Sequence, residues 1–326
     1  MKREILDTAA AASQPTGAAL QPGPSRPLPK LQLLVDEMRP RQWSKNMLLF
    51  AALIFSKNLL DVAMVSRSIG AFLVFCLLSG VVYTVNDLMD LQEDRIHELK
   101  RHRPLASGAL PVRLAVLWLL GVSSFALLAA GLMGWRFLVV SIFFLVFNLG
   151  YSRFFKHMVI IDVISIAISF IIRAMAGVVA LNTLGGHLTI SPWLLVVTFF
   201  LSLFLGLCKR RHEYVSMQEA GKHRVTLVAY SEELLNQLIN MAATATLIAY
   251  SIYTIWPDTV QHFGTDRLLF TIPFVVAGVT RYMFLVYRRD LGGDPSEVLL
   301  TERSLWLTIG AWFVSVALVI YGSQLF

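Results

Sequence analysis

The chain has 326 residues, of which 56% are hydrophobic and 15% are charged. Soluble proteins carry about 25% charged residues, so the composition excludes an ordinary soluble enzyme and predicts an integral membrane protein. Lys and Arg (28) outnumber Asp and Glu (21), for a formal net charge of +7. We attribute this excess mainly to membrane topology, and not to nucleic-acid binding.

Residues 1–30 are rich in Ala, Pro, Gln, Ser and Gly. Such a composition is typical of disordered segments, so we expect a disordered cytoplasmic tail. Apolar runs near the ~20 residues that cross a bilayer recur along the rest of the chain. We therefore expect residues 31–326 to form one transmembrane domain without a separate soluble domain.

The predicted fold is an all-α integral membrane protein with nine membrane-spanning helices. The predicted spans are residues 46–63, 68–86, 112–133, 136–151, 159–181, 191–208, 235–256, 267–287 and 304–324. The tail and alternate loops hold 22 of the Lys and Arg residues, against 4 on the opposite side and 2 within spans. Because cytoplasmic segments collect these residues, we expect a cytoplasmic amino terminus. Cys76 and Cys208 fall in apolar spans and are expected to be small core residues.

The segment after span two, "NDLMDLQED", is acidic. If the helix continues, Asp87, Asp90 and Asp94 follow the spacing i, i+3, i+7 and share one face. Carboxylates this close together repel one another unless a cation lies between them. Mg²⁺ usually binds through one or two carboxylates plus substrate phosphates. A solvated face paired with Arg95 and Lys100 is the alternative.

Basic residues follow in "KRHRPLASG", where Pro104 ends any helix. Arginine and lysine beside a metal form a recurring phosphate-binding arrangement. The loop after span six is also basic. Its candidate residues are Lys209, Arg210, Glu213, Lys222, Arg224 and Tyr230, whereas Arg211 is expected to be an anchor at the membrane interface.

Span five carries a polar stripe in which Asp162, Ser165, Ser169 and Arg173 follow the spacing i, i+3, i+7, i+11. We expect this stripe to face the protein interior, because charges within a span are costly and are usually functional or mutually paired. A role in holding helices together is the alternative. The preceding short loop, "YSRFFK", adds Tyr151 and Lys156 as candidates.

"NDLMDLQED" fits NDxxDxxxD, and with the downstream "RPLASG" it resembles the UbiA superfamily of intramembrane prenyltransferases. The resemblance covers almost the whole chain. It implies a helical bundle around a central cavity, with Mg²⁺ and diphosphate at the cytoplasmic mouth and a lateral opening for lipid. Carried over to this sequence, it implies metal ligation by Asn86, Asp87, Asp90 and Asp94.

The sequence departs from the aromatic prenyltransferases of that superfamily, because the loop after span six lacks a second DxxxD motif. With "RPRQWSKN" before span one, its basic pattern resembles the subgroup that transfers phosphoribose from phosphoribosyl pyrophosphate to a polyprenyl phosphate. This resemblance implies an inner (plasma) membrane enzyme with a cytoplasmic active site that supplies cell-envelope glycan precursors. It implies catalytic roles for Asp87, Asp90 and Lys209, and substrate binding by Lys45, Asn86, Arg103, Tyr151, Lys156, Asp162, Arg173, Arg210, Glu213, Lys222, Arg224 and Tyr230.

Two alternatives stay open. One is an aromatic prenyltransferase that moves a polyprenyl group from its diphosphate to an acceptor such as 4-hydroxybenzoate; the missing DxxxD motif argues against it. The other is a transporter or lipid-binding membrane protein whose charges line a pathway. The clustering of charges on one face, without a repeated pair of broken helices, argues against that alternative.

Overall fold

A computed structural model describes residues 29–98, 100–184, 191–219, 229–289 and 301–325, together with Leu188, Gly292, Gly293, Pro295 and Val298. The regular elements in these ranges are all helical. They are α1 (Lys30–Glu37), a 3₁₀ helix (Pro40–Leu49), α2 (Phe50–Phe55), α3 (Val62–Met89), α4 (Leu91–Ile96), α5 (Val112–Met133), α6 (Trp135–Arg153), α7 (Ile161–Asn182), α8 (Pro192–Glu219), α9 (Glu232–Ile255), α10 (Pro257–Phe263), α11 (Ile272–Arg288) and α12 (Arg303–Leu325). Short 3₁₀ turns cover Lys100–His102, Phe155–His157 and Arg267–Thr271.

Eight helices in the described ranges are long and apolar enough to cross a membrane, namely α3, α5, α6, α7, α8, α9, α11 and α12. They coincide with predicted spans two to nine, which confirms those spans. Their ends follow local sequence: the Asp61 side chain accepts hydrogen bonds from two amides that open α3, and the Ser231 hydroxyl accepts one from the Leu234 amide in the first turn of α9. Gly134, with a φ of 130°, makes the turn between α5 and α6.

The first predicted span, residues 46–63, is not a long helix. The structure has instead the 3₁₀ helix Pro40–Leu49 followed by α2, which we call the broken segment. The predicted stretch is interrupted after α2, where Lys57 adopts a φ of 62° and Asp61 caps the separate helix α3, so residues 46–63 do not form one long helix. Ten 3₁₀ and six α-helical residues rise about 29 Å, close to the ~30 Å of a bilayer core.

The broken segment runs from one end of the bundle to the other. At its start, Arg39 contacts Asp87 at the end of α3. Beyond its end, Lys57 Nζ donates to the Phe263 carbonyl at 3.2 Å. The bundle thus combines eight long helices with one irregular crossing in the part of the chain that the structure describes, where nine long helices were predicted.

A buried polar network holds the broken segment against the bundle. Asn46, which is fully buried, accepts hydrogen bonds from Arg173 Nε at 2.9 Å and from Ser79 at 3.2 Å. Arg173 Nη1 also donates to the Ser169 carbonyl at 3.0 Å, and its guanidinium lies 4.8 Å from the centre of the Phe144 ring. The network satisfies groups that would otherwise be costly at this depth.

The inward orientation predicted for the polar stripe of α7 is confirmed, because Asp162, Ser165, Ser169 and Arg173 are all buried. The contacts of Arg173 with Asn46 and Phe144 match the alternative role given for this stripe, which is to hold helices together. Cys76 and Cys208 are buried free thiols, as predicted.

At the end of the bundle opposite Asp87, Arg67 fixes three helices. Its guanidinium donates to the Thr183 hydroxyl after α7 at 2.6 Å and to the Met133 carbonyl that ends α5. A cation at exposed helix carbonyls is favourable, since these carbonyls lack partners within their own helix. On the outside, α5 exposes Leu117, Phe125 and Leu128, as expected for a surface that contacts lipid.

A close backbone contact seats the broken segment on α7. A Cβ added at Gly177 would lie 2.2 Å from the Leu49 carbonyl oxygen. We therefore expect Gly177→Ala to lower the thermal unfolding midpoint of the protein in detergent. The control is Gly121→Ala on α5, where an added Cβ meets nothing within 4 Å. Its midpoint should stay equal or rise, because Ala is favoured over Gly in a helix by ~1 kcal/mol of free energy. Equal effects of both substitutions would contradict this seating.

Candidate active site

Charged side chains gather at the bundle end where α3, α6 and α8 finish and where α7 and α9 begin. Lys156, in the turn between α6 and α7, pairs with Asp90 after α3. Arg210 near the end of α8 pairs with Asp162 in the first turn of α7. Two clusters of polar residues therefore share this end, one around Asp87 and one around Arg210, and the connection between α6 and α7 contributes to both.

We call the first group the carboxylate cluster; it contains Asn86, Asp87, Asp90, Asp94, Arg39, Lys100, Arg103 and Lys156. The chain keeps helical hydrogen bonding across the junction between α3 and α4, from the Asp90 amide to the Asn86 carbonyl at 2.9 Å and from the Asp94 amide to the Asp90 carbonyl at 2.8 Å. This continuity brings the three predicted aspartates to the same end of the bundle.

Cations separate these carboxylates. One Arg39 nitrogen, Nη2, lies 2.5 Å from both oxygens of Asp87. Arg103 bridges two carboxylates, at 3.1 Å from Asp87 and 2.5 Å from Asp94, and Lys100 lies 3.7 Å from Asp94. Because Asp87 and Asp94 are buried, these pairs supply the compensation that buried charges need.

Asp90 is paired separately. One of its oxygens contacts Lys156 Nζ at 2.5 Å, and the other accepts a hydrogen bond from the Asn86 amide at 3.2 Å. In the described ranges no three acidic, His or Cys side chains converge as a ready metal site. The predicted ligands Asn86, Asp87, Asp90 and Asp94 are thus neighbours, but the structure shows them bound to cationic or amide groups of the chain.

The donor chemistry of this cluster still fits a hard divalent cation. Carboxylate and amide oxygens are the ligands that Mg²⁺ accepts, usually one or two from the protein with the rest from water and substrate phosphate. A further buried carboxyl group, Glu37, lies beside Asp87 and the Leu105 backbone amide, and neither of its oxygens makes a hydrogen bond of good geometry with a described residue. The cluster thus carries a buried carboxyl group that forms no ion pair with a described residue, so its oxygens are available to a cation.

Packing of the loop before α5 positions Arg103. Leu105 and Leu110 are buried in one apolar cluster with Leu33 and Leu34 of α1 and with Ala115 of α5. This contact fixes the basic loop over the end of α3. It explains why "RHRPLASG" lies beside the aspartates, a contact that neither sequence motif predicts by itself.

Sequence reasoning missed Glu37 and Arg39. Arg39 adopts a left-handed backbone conformation with a φ of 53° and stacks 5.2 Å above the Tyr83 ring. It belongs to the "RPRQWSKN" stretch, but its partner Asp87 lies 48 residues further along the chain. Helical spacing cannot reveal such a pairing, because it relates only residues on the same helix.

The second group, the Arg210 cluster, consists of Asp162, Arg210, Glu213 and Tyr230. Arg210 Nε lies 2.6 Å from Asp162, and its Nη1 lies 2.5 Å from Glu213. The Tyr230 hydroxyl donates to Asp162 at 3.1 Å and accepts from the Ile160 amide at 2.6 Å. Burial raises the pKa of Tyr230 to about 12, and the Asp162 charge adds to the rise, so this hydroxyl keeps its proton at neutral pH.

The remaining predicted site residues are placed as follows. Lys45, Tyr151 and Lys209 are half-buried, and Tyr151 lies close enough to Arg210 to interact with it electrostatically. Lys222 and Arg224 lie outside the described residues. Arg173 lies in the buried network with Asn46 and Ser79, and Ser79 precedes Asp87 by two helical turns, or about 12 Å.

Arg211 was expected to be an anchor at the membrane interface, and the structure shows a buried role instead. Its guanidinium lies 2.6 Å from Glu232 and stacks 4.6 Å from the centre of the Tyr287 ring. Arg211 therefore joins α8 to α9 and α11.

A groove of about 500 Å³ opens between α11 and α12. It shares no residue with either ionic cluster, so it does not extend the candidate site. Its lining consists of Ala277, Thr280, Arg281, Phe284, Ser304 and Thr308.

Comparisons with known proteins give a consistent result. The model of the UbiA prenyltransferase family matches residues 47–308. A protein named decaprenyl-phosphate phosphoribosyltransferase from Corynebacterium glutamicum is 33% identical, over 96% of this chain and 95% of its own length. The protein of the same name from Mycobacterium tuberculosis is also 33% identical, over 89% of this chain and 95% of its own length.

The fold has a counterpart among solved structures. A UbiA homologue from Archaeoglobus fulgidus, bound to GPP and Mg²⁺, superposes with a TM-score of 0.66. It is 19% identical, and the match covers 88% of this chain and 99% of that chain. At this identity the likeness is evidence for the fold alone.

The two hydrogen bonds of Tyr230 predict a stability effect. Tyr230→Phe removes both, at Asp162 and at the left-handed residue Ile160, and should lower the unfolding free energy by about 1–3 kcal/mol. The matched control is Tyr287→Phe, because the buried Tyr287 hydroxyl has no hydrogen-bond partner in the described residues. Its removal should be neutral or stabilising. Thermal unfolding in detergent measures both variants, and an equal loss in both would count against the role of Tyr230.

Glu37 predicts a dependence of stability on pH. Burial, and then the negative charge of Asp87, raise the pKa of Glu37 from 4.5 to about 8. Between these values the folded protein keeps a proton that the unfolded chain has lost, so the unfolding free energy contributed by this group falls as the pH rises. Above about pH 8 that loss is complete.

Glu37→Gln removes this titration. In metal-free buffer, the unfolding midpoint of the wild-type protein should therefore fall more between pH 6 and pH 9 than that of the variant. The same fall in both proteins would show that Glu37 does not titrate in this range.

Proposed function

Because the chain belongs to the UbiA prenyltransferase family, we propose that this multi-pass membrane transferase moves 5-phosphoribose from phosphoribosyl pyrophosphate to a polyprenyl phosphate. The other product is diphosphate. The observation that carries the proposal is the 33% identity, over nearly the full length of both chains, to proteins named decaprenyl-phosphate phosphoribosyltransferase.

The charge of the site supports this choice of substrates. Phosphoribosyl pyrophosphate carries a diphosphate and a 5-phosphate, and a polyprenyl phosphate adds another anion. The carboxylate cluster contributes Arg39, Lys100, Arg103 and Lys156. From the end of α8 onward, the sequence has basic residues in place of the second acidic motif that an allylic diphosphate would use. More phosphate groups require more cations.

We assign the metal site to Asp87 and Asp90, with Asn86 and Asp94 as further oxygen donors. The carboxylates suit Mg²⁺. Bound there, Mg²⁺ would offset the charge of the departing diphosphate.

Residues of the chain prepare the site by exchanging partners. In the structure Arg39, Arg103 and Lys156 neutralise the aspartates. Phosphate oxygens of the substrates offer these cations an equivalent charge-assisted contact. When the cations turn to phosphate, the carboxylates are released for the metal. The basic side chains therefore have an anionic partner both with and without substrates.

The transfer breaks the bond between ribose C1 and the diphosphate oxygen, and it forms a bond between C1 and a phosphate oxygen of the lipid. The electron pair of the broken bond leaves with diphosphate, and attack from the opposite face inverts C1. A phosphate monoester is already ionised at neutral pH, so the chain needs no dedicated base. Positioning and charge neutralisation by Arg39, Arg103, Lys156 and Lys209 supply the catalysis.

We place the site on the cytoplasmic side of the plasma membrane, with residues 1–30 as a cytoplasmic tail and residues 31–326 as one transferase domain. The distribution of Lys and Arg supports this orientation. The product would serve as a precursor for cell-envelope glycans.

One assay separates this function from its alternatives. Purified protein receives Mg²⁺, labelled phosphoribosyl pyrophosphate and decaprenyl phosphate, and the lipid is extracted and counted. A parallel reaction contains a polyprenyl diphosphate and 4-hydroxybenzoate. Labelled lipid is expected in the first reaction. Aromatic product in the second reaction alone would establish the prenyltransferase alternative, and absence of both products would favour a transporter or lipid-binding protein.

Substitution of the aspartates tests their assigned roles. Asp87→Asn and Asp90→Asn should each lower turnover about 100-fold or more, because each removes a carboxylate that would hold the divalent cation. Glu93→Gln is the matched control, since Glu93 lies exposed on the same acidic stretch, and its turnover should stay near that of the wild type. Near-normal turnover in both aspartate variants would show that these carboxylates serve only as structural ion-pair partners.

A further inference from the structure

Glu37, the last residue of α1, is a buried carboxylate at this end of the bundle that the proposed mechanism does not use; unlike Asp162, it forms no ion pair with a basic residue among those that the structure describes. Its side chain is only 2% exposed. Its carboxyl group lies beside the Asp87 carboxylate and the Leu105 backbone amide, and neither oxygen makes a hydrogen bond of good geometry with a described residue. A buried polar group without partners costs free energy, so this position calls for a ligand.

Packing on both sides keeps Glu37 in place. Leu33 and Leu34, one turn earlier in α1, are buried against Leu105 and Leu110. Met38, the next residue, packs so closely on α3 that a Cβ at Gly80 would lie 2.6 Å from its terminal methyl carbon. The carboxyl group is therefore held beside Asp87 by neighbours that have no charge of their own.

The surrounding cations do not compensate Glu37. Arg39 contacts both oxygens of Asp87, and Arg103 bridges Asp87 and Asp94. Among the described residues none forms an ion pair with Glu37. Two carboxyl groups thus lie side by side, of which only Asp87 is neutralised by the chain.

We propose that Glu37 is a further oxygen ligand of the divalent cation that Asp87 helps to hold. This inference rests on the metal site of the proposed function and adds α1 to it. A cation bound between Glu37 and Asp87 would be held by oxygens of both carboxyl groups, and it would give Glu37 the charged partner that the described residues do not supply. Its consequence is that α1, which precedes the family-matched region, takes part in metal binding.

Metal binding without substrates provides the test. Mn²⁺ is titrated into the full-length protein in detergent, and bound Mn²⁺ is measured by electron paramagnetic resonance for the wild type, Glu37→Gln, Asp36→Asn and Asp87→Asn. Asp36 is the matched control, because it neighbours Glu37 on α1 but is exposed. Thermal unfolding without metal confirms that each variant is folded, and Glu37→Asp, which keeps a carboxylate, replaces Glu37→Gln if the latter does not fold.

We expect Glu37→Gln to weaken Mn²⁺ binding at least about tenfold, since even residues that only orient a metal ligand change affinity by about 10–100-fold. Glu37→Asp should bind with intermediate affinity, and Asp36→Asn should bind like the wild type. Equal affinities of Glu37→Gln and the wild type, with binding lost in Asp87→Asn, would overturn the role of Glu37 alone. Wild-type protein that binds no Mn²⁺, or binding that survives Asp87→Asn, would overturn the assigned metal site together with this inference.

Discussion

The ion pair between Arg39 and Asp87 is the contact on which the arrangement of the site depends. It joins Arg39, which precedes the broken segment, to the end of α3. It also compensates the charge of a buried carboxylate inside a membrane protein. Removal of Arg39 would leave the buried Asp87 with Arg103 as its remaining basic partner among the described residues, and the loss of charge compensation would destabilise the fold. The same pair places α1 and Glu37 beside the aspartates.

Below this pair, hydrogen bonds replace ion pairs. Asn46, Ser79, Ser169 and Arg173 form a network in which a guanidinium is balanced by amide, hydroxyl and aromatic groups, without a carboxylate among its described contacts. The network is structural in its geometry, since it holds an irregular crossing whose polar residues could not face lipid. The ionic end can therefore exchange partners while the bundle beneath it stays fixed.

Sequence alone predicted the long helices well, because length and hydropathy decide whether a segment can cross a bilayer. It also located Asp87, Asp90 and Asp94, since they follow one helical spacing. It misassigned residues 46–63, where polar side chains favour a 3₁₀ path that depends on partners in other helices. Glu37 and Arg39 could not be found, because their importance arises from contacts with Asp87 across the fold.

The central claim is that cations of the chain and a divalent metal share the aspartates with the substrate's phosphates. Binding of labelled phosphoribosyl pyrophosphate, measured over a series of Mg²⁺ concentrations, tests it most directly. The account predicts that affinity rises with Mg²⁺ in the wild type, and that Asp87→Asn loses most of this dependence, because the two ligands are coupled through one site. Affinity that does not depend on Mg²⁺, or the same dependence in Asp87→Asn, would contradict it.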